Sequence, residues 1–566
     1  MPDAQSRLIQ YAPPLLLAFG LLAVVLFHGV RATHDIAWPA DFDAYRDIAQ
    51  AQSMLDQSYP EDYLISDAWL WFNPLTGALV AAVSWLADIP AHLAHVRMAP
   101  YINLVVPITF FLLVWYLADL WVALAALVSF LFFLPQELPT YVSAGYSPWL
   151  LAPHLTQALF YVTLLACTAQ GARPTWRRAL GAGALLGITF LGHAAPAVLL
   201  GCITLITTGL AIWREKHNAA PLLRKARHFA LLGLMLLTAF VVSLPFTISI
   251  LFRYHLHIVN PVPTQWVWSG AALGNLPRLL KELVNWRTAI VLVGLYYVIR
   301  TRAPRPFKEA ALLWPGVAMA FLVYSYLVQW AARYEWTLPQ ITPGYHYVLY
   351  VTAAGHFFFG IGLVALVDGV ILRIRCWMQK NPDAENRWMT LRSAVLLLVV
   401  LVLFATHYRS FRVWHGFTRE RTVVQKRMAK TDNFAPYHWI ADNLDSNAVF
   451  LCDDQPGLLC VAVAGARVVA VAPHFMSPYV PYEPRAQARH ALWEALRTGD
   501  AMTFQRIAAE YKVTHVLANT AQQAWLEESD FPFIQQVFES EQFAIYVTWE
   551  LLSANATSHA KPRMPR

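Results

Sequence analysis

Apolar runs long enough to cross a bilayer recur along most of the chain, and that recurrence limits its fold more than any other feature. Residues 8–30 form the first run, and others lie near residues 98–118, 120–134, 149–170, 179–195, 196–213, 229–251, 286–300, 310–331, 346–372 and 393–408. Each approaches the roughly 20 residues that a helix needs to span about 30 Å of hydrocarbon. Inside lipid every backbone amide must be satisfied within its own segment, so such runs predict helices. With 57% hydrophobic and 14% charged residues, a chain of 566 residues could not cover itself with polar surface in water. A polytopic α-helical membrane protein of about eleven spans is expected.

The basic residues fall in clusters between these runs. Arg173, Arg177 and Arg178 form one, and Arg214, Lys216, Arg224, Lys225 and Arg227 another. Two more are Arg300, Arg302, Arg305 and Lys308, then Arg373, Arg375, Lys380, Arg387 and Arg392. Clustering of this kind marks cytoplasmic loops, so the net charge of +7 implies no nucleic-acid partner. Arg7 precedes the first run, and Val30-Arg31-Ala32-Thr33-His34 after it makes a poor cleavage site, which predicts an uncleaved first helix with its N-terminus inside. Residues 73–89 then have to form a juxtamembrane or re-entrant helix, because a further crossing would put every later basic loop outside. The odd number of spans places residues 409–566, the acidic loop 31–72 and the loops 135–148, 252–285 and 332–345 on the outer face of the plasma (inner) membrane.

Two domains are expected: a transmembrane domain over residues 1–408 and an extracytoplasmic α/β domain over residues 409–566. In the latter, strands are predicted at Ala448–Cys452, Arg467–Ala472, Thr514–Ala518 and Phe543–Thr548, with helices near 433–444, 485–498 and 502–511. Cys452 and Cys460 flank a predicted turn at Gln455-Pro456-Gly457, and either a disulfide or two buried thiols suits that spacing. No cysteine pattern suggests zinc.

Chemistry is expected in the first outer loop. Residues 31–72 hold eight carboxylates (Asp35, Asp41, Asp43, Asp47, Asp56, Glu61, Asp62 and Asp67) against Arg31 and Arg46. Asp41 stands where a helix N-cap would, and Asp43 and Asp47 suit the positive end of that helix. Such capping accounts for one or two carboxylates, not for eight in one loop. A carboxylate held at the membrane surface can take a proton from a hydroxyl or bind a divalent cation.

The order Asp41-x-x-x-Tyr45-x-x-x-Ala49 after the first span, followed by an apolar helix opened by Trp71-Phe72-Asn73-Pro74, resembles the GT-C superfamily of membrane glycosyltransferases, which includes protein O-mannosyltransferases and aminoarabinose transferases of lipid A. In many members Glu directly follows the Asp. Here Phe42 takes that place, so either Asp41 or Asp43 can fill the catalytic role. The resemblance implies transfer of a sugar from a polyprenyl-phosphate-linked donor to an extracytoplasmic acceptor, whether envelope glycan, lipid or protein. Nucleotide sugars are confined to the cytoplasm, so an outward-facing site needs a donor carried across on lipid. A phosphate leaves readily as a stable anion, so what the site must supply is a base for the acceptor and cations for the phosphate.

Arg253, in Arg253-Tyr254-His255, and Arg333 stand at outer helix ends as candidate phosphate partners. Tyr45, His255, His154 and His193 are further candidates for substrate contact, the latter two because an intramembrane ionisable group is costly. Snorkelling arginines and neutral buried histidines are the ordinary structural alternatives. Glu137 is a possible second acid that could share a Mg or Mn ion with Asp41 and Asp43. A lipid or glycan transporter or flippase, and a non-catalytic glycan-binding assembly protein, are the rival functions. A transporter would need charged or broken helices at the midplane, whereas the ionisable residues here gather at one face.

Overall fold

The computed structural model describes residues 4–39, 41–134, 144–217, 222–265, 272–301, 303–340, 342–377, 385–428, 434–444, 446–528 and 531–548. In chain order the first helices are α1 (Ala4–Thr33), α2 (Phe42–Leu55), α3 (Leu75–Ala87), α4 (Ala91–Ile102), α5 (Val105–Leu117), α6 (Leu120–Phe132), α7 (Ala152–Ala172), α8 (Trp176–Gly192), α9 (Ala194–His217) and α10 (Leu222–Ile248). There follow α11 (Val262–Gln265), α12 (Leu276–Leu283), α13 (Trp286–Arg300), α14 (Arg305–Ala332), α15 (His346–Trp377), α16 (Glu385–Arg412), α17 (His415–Met428) and α18 (Ala435–Asn443). The last part alternates β1 (Val449–Leu451), α19 (Asp454–Ala464), β2 (Arg467–Val468), α20 (Tyr482–Thr498), α21 (Ala501–Glu510), β3 (His515–Asn519), α22 (Thr520–Glu528), β4 (Ile534–Glu539) and β5 (Phe543–Thr548).

Among the described residues, seven segments are long and apolar enough to cross a membrane: Tyr11–Thr33, Ala91–Leu117, Ala194–Arg214, Arg224–Arg253, Arg305–Ala332, His346–Trp377 and Trp388–Lys426. The expected number was about eleven. Of the four expected runs outside these seven, α6 has 13 residues, α13 has 15 and α8 has 17, whereas α7 has 21. At 1.5 Å per residue α6 and α13 fall well short of the hydrocarbon thickness, and α7 does not. The stretch expected to lie along the membrane is α3, a helix of 13 residues.

The chain divides into two compact units. The first comprises Met1–Asp35, Ala99–Leu244 and Val267–Glu420. At its centre is α6, whose 13 residues are all buried. A helix apolar on every side can be stable only when neighbours surround it, and α5, α15, α16 and α1 do so. Asp119 caps its start, accepting from Trp121 N at 2.8 Å and Val122 N at 2.9 Å. Helices α13 and α15 approach each other through glycine. A Cβ on Gly294 would stand 1.9 Å from Phe358 O, and one on Gly362 would stand 2.0 Å from Ile290 O. Where lipid tails replace water, backbone contact of this kind is a main source of helix association.

The second unit joins Ile36–Met98 and Pro245–Trp266 to Arg421–Arg566. Its sheet has the order β2-β1-β3-β5-β4, with β1 parallel to β2 and β3, and β5 antiparallel to β3 and β4. Leu492, Leu496, Phe504, Val516 and Phe531 belong to the core beside it. The segment after α2 is tied to this module. Val468 N donates to Leu64 O at 2.8 Å, Arg485 Nη2 to Ser66 O at 3.1 Å, and Lys512 Nζ pairs with Asp67 at 2.8 Å. Arg467 also pairs with Glu61.

One sequence expectation changes in this unit. Gln455-Pro456-Gly457 is not a turn but the opening of α19, where proline's missing N–H costs nothing because the first helical amides lack intrahelical acceptors. Gly465 closes α19 with φ +66°, a left-handed end that suits glycine. Cys452 and Cys460 are free thiols here, both buried and near enough to hydrogen-bond.

Gly294→Leu or Gly362→Leu should separate α13 from α15 and destabilise the fold by about 1–3 kcal/mol or more, as overpacking does. Gly233→Ala, where an added Cβ meets nothing within 4 Å, should leave stability unchanged or raise it. Thermal unfolding of the three variants in detergent measures the contrast.

Candidate functional site

The acidic segment turns into α2 at Asp41, an extended N-cap residue with φ −89° and ψ 138°. Its Oδ1 accepts from Asp43 N at 2.8 Å, the bond that lets a carboxylate begin a helix. Asp41 is half-buried and Asp43 exposed. One turn along, Asp47 is 1% exposed, and its Oδ1 has no hydrogen-bond partner among the described residues. Arg46 lies between them in sequence, with Nη2 3.4 Å from Asp43 Oδ1 and its guanidinium 3.5 Å from the centroid of the Phe72 ring. One cation thus faces three carboxylates.

Burial, then the charge of Asp43, pushes the Asp41 carboxyl up to about 6, against the opposing pull of the Asp43 amide and Arg46. For Asp47 burial is again the largest cause, and its carboxyl rises to about 7 although Arg46 opposes the shift. Asp62 is also buried and rises to about 6, but it accepts from Leu64 N at 2.7 Å and Ile65 N at 3.2 Å. It organises the backbone of its own turn. His474, from the loop after β2, is half-buried and within electrostatic reach of Asp43 and Arg46, and burial lowers its basicity. Asp47, Arg46 and His474 were not singled out for chemistry by the sequence. Asp47 was read as a dipole partner, and only its burial sets it apart.

The other expected residues divide between the units. In the second unit Tyr45 is fully buried, and its hydroxyl donates to Pro39 O at 3.1 Å, fixing the turn before α2. Arg253 is exposed, 5.9 Å from the Trp69 ring centroid. His255 is exposed with φ +51°. Between them, Tyr254 donates from its hydroxyl to Trp69 O at 2.6 Å and accepts from Trp69 N at 2.7 Å. In the first unit His154 is buried beside Gln157, with Nδ1 3.2 Å from Gln157 Nε2. His193 is buried with its Nδ1 accepting from Ala195 N at 3.2 Å, and its ring lies 4.5 Å from that of His346. His346 is the first residue of α15. Arg333 is exposed at the end of α14. Glu137 lies outside the described residues. Among the described residues no group of three or more His, Cys, Asp or Glu side chains is arranged to hold a metal ion.

The apolar helices and their accompanying α/β unit have a fold of the GT-C type, and the protein is a membrane protein. The likeness is to ArnT from Cupriavidus metallidurans. The structure of ArnT bound to undecaprenyl phosphate matches at a TM-score of 0.55 and 12% identity, covering 94% of this chain and 98% of ArnT. Its apo structure gives a TM-score of 0.55 at 15% identity, covering 95% and 98%. The Archaeoglobus fulgidus oligosaccharyltransferase matches at a TM-score of 0.46 and 11% identity, covering 92% of this chain and 73% of its own. No family model matches the chain, and no curated protein does. At these identities the likeness concerns the fold.

The raised carboxyls carry a stability signature. An aspartate whose folded pKa lies above its unfolded value stabilises fully only below the unfolded value, near 4, and its contribution falls as pH rises toward the folded value. Asp47→Asn should therefore raise stability at pH 8 by about 2–4 kcal/mol. The gain should shrink below pH 7 and vanish near pH 4, as thermal unfolding across that range would show.

Proposed function

We propose that this chain is a membrane glycosyltransferase that moves a sugar from a polyprenyl-phosphate-linked donor to an extracytoplasmic acceptor. The carrying observation is the half-buried carboxyl of Asp41, held at about 6 beside Asp43 and Arg46. A base of that strength is ionised at neutral pH yet binds a proton far more readily than an ordinary aspartate, which suits removal of a proton from an acceptor hydroxyl. The fold supports the reading, since ArnT shares it and has been seen with undecaprenyl phosphate.

In the proposed reaction Asp41 accepts the acceptor's proton as its oxygen bonds to the anomeric carbon. The bond from that carbon to the phosphate oxygen breaks, and the lipid phosphate leaves with the electron pair. Arg253, exposed and alongside Trp69, is the guanidinium of this unit proposed to meet the phosphate. Tyr45 positions Asp41 by holding the turn before α2. Asp43 acts through Asp41, raising its proton affinity by like charge. A divalent cation at Asp41 and Asp43 would add charge for the phosphate, but no step described here depends on one.

Comparing envelope glycans of cells with and without the protein should reveal one missing sugar, which names donor and acceptor. With that substrate, Asp41→Asn should lower kcat/KM by about 10²–10⁴-fold, the range for loss of a general base. Wild-type activity should fall as pH drops through about 6. Asp43→Asn should move that acidic limb to lower pH, because removing the neighbouring negative charge weakens the hold of Asp41 on its proton. Full activity in Asp41→Asn would end the proposal.

A further inference from the structure

In the second unit two of the chain's cysteines meet where β1 passes into α19. Cys452 follows the last residue of β1, and Cys460 lies within α19. Both side chains are buried, with 1% and 0% exposure. Their approach has a cause in the sequence. Gly457 and Cys460 are three residues apart and so share one face of the helix. A Cβ on Gly457 would stand 3.1 Å from Cys452 Sγ, so this glycine leaves the room that the Cys452 side chain occupies against α19. The sulfur is thereby set beside Cys460, and the two thiols are near enough to hydrogen-bond.

A close pair of thiols has few uses. Structural metal binding needs further ligands, and among the described residues no group of three or more His, Cys, Asp or Glu side chains is arranged to supply them. Nucleophilic reactivity needs an accessible thiolate, whereas Cys460 is fully buried and that burial pushes its thiol well above the ordinary range. Joining the two sulfurs needs neither ligands nor a lasting charge, only that they can close to bonding distance. The helix so joined matters to its neighbours, because α19 packs against α18, against β1 and against α2, the helix that Asp41 caps.

We propose that Cys452 and Cys460 form a reversible disulfide, made by exchange with a small-molecule or protein disulfide, that anchors α19 to the end of β1 and so steadies the helix against which α2 packs. In the exchange one cysteine thiolate attacks the oxidant's S–S bond and releases the first of its thiols, forming a mixed disulfide. The second cysteine thiolate then displaces the other. The two cysteines together give up two protons and two electrons, and the oxidant's S–S bond becomes two thiols. Because neither sulfur is exposed, exchange requires α19 to open locally, so the bond forms and is reduced slowly once the unit has folded. The inference does not rest on sugar transfer, since it is read without turnover.

Its test uses the full chain in detergent, warmed to just below its melting temperature with oxidised or with reduced glutathione, then unfolded, alkylated and mapped as peptides. After oxidised glutathione, Cys452 should be found joined to Cys460, and after reduced glutathione both should carry the alkyl label. The oxidised protein should melt about 2–8 °C above the reduced one, because the link restricts the unfolded chain. Cys452→Ala and Cys460→Ala should each melt at one temperature under both conditions. Cys452 and Cys460 separately alkylated or capped by glutathione in the oxidised sample would overturn the proposal, as would a bond that leaves the melting temperature unchanged.

Discussion

Negative charge withdrawn from water is the constraint around which the second unit is built. Asp41, Asp47 and Asp62 all pay the desolvation penalty of burial, and each is compensated differently. Asp62 is answered by two backbone amides and, at longer range, by Arg467 and Arg485. Those same arginines bind Glu61 and Ser66 O, so the charge and the turn that carries it are secured together. This is what buried carboxylates do in a scaffold. Among the described residues the charge opposing the rise at Asp47 is Arg46, whose guanidinium is shared with Asp43 and pressed against Phe72. Burial, only partly offset by Arg46, leaves Asp41 and Asp47 holding protons more tightly than ordinary aspartates, a property useful in proton transfer and of no benefit to stability.

The membrane class was legible because hydropathy acts over some 20 residues and tolerates local error. The number of spans was less so. Apolar character alone cannot separate a crossing helix from a short buried one, and α6, surrounded by protein on all sides, reads in sequence like a span. In the α/β unit the strands β1, β3 and β5 were visible as buried apolar runs. β4, Ile534-Gln-Gln-Val-Phe-Glu539, is an edge strand with mostly exposed or half-buried residues, so it lacked the signal. α19 was hidden by Gln455-Pro456-Gly457, whose turn-like composition is harmless in a helix's first turn.

At the candidate site, residue type and spacing pointed to this segment and could rank its members only by position. Asp41 as N-cap follows from sequence, and the structure has that cap. The burial of Asp47 does not follow, because it depends on what packs over α2, and α19 lies some 400 residues away in the chain. His474 is hidden for the same reason. Tyr45 shows the opposite case: its place in a motif suggested substrate contact, while its hydroxyl is engaged by Pro39 O. A motif residue can be essential to a site by shaping it.

Asp41 and Asp47 belong to one set of charges: Asp43 raises the proton affinity of both, Asp41 raises that of Asp47, and Arg46 opposes each rise. The last carboxyl to ionise in such a set does so against the charge of those already ionised. That arrangement offers a base stronger than an isolated aspartate without burying it beyond a substrate's reach, since Asp41 remains half-exposed at the helix start while Asp47 takes the deeper position. Arg46 limits the effect from the other direction. Were it absent, Asp41 and Asp47 would hold their protons more tightly still. The chemistry proposed here therefore depends on Asp41 as the base and on Asp43 and Arg46, which set its proton affinity from opposite sides.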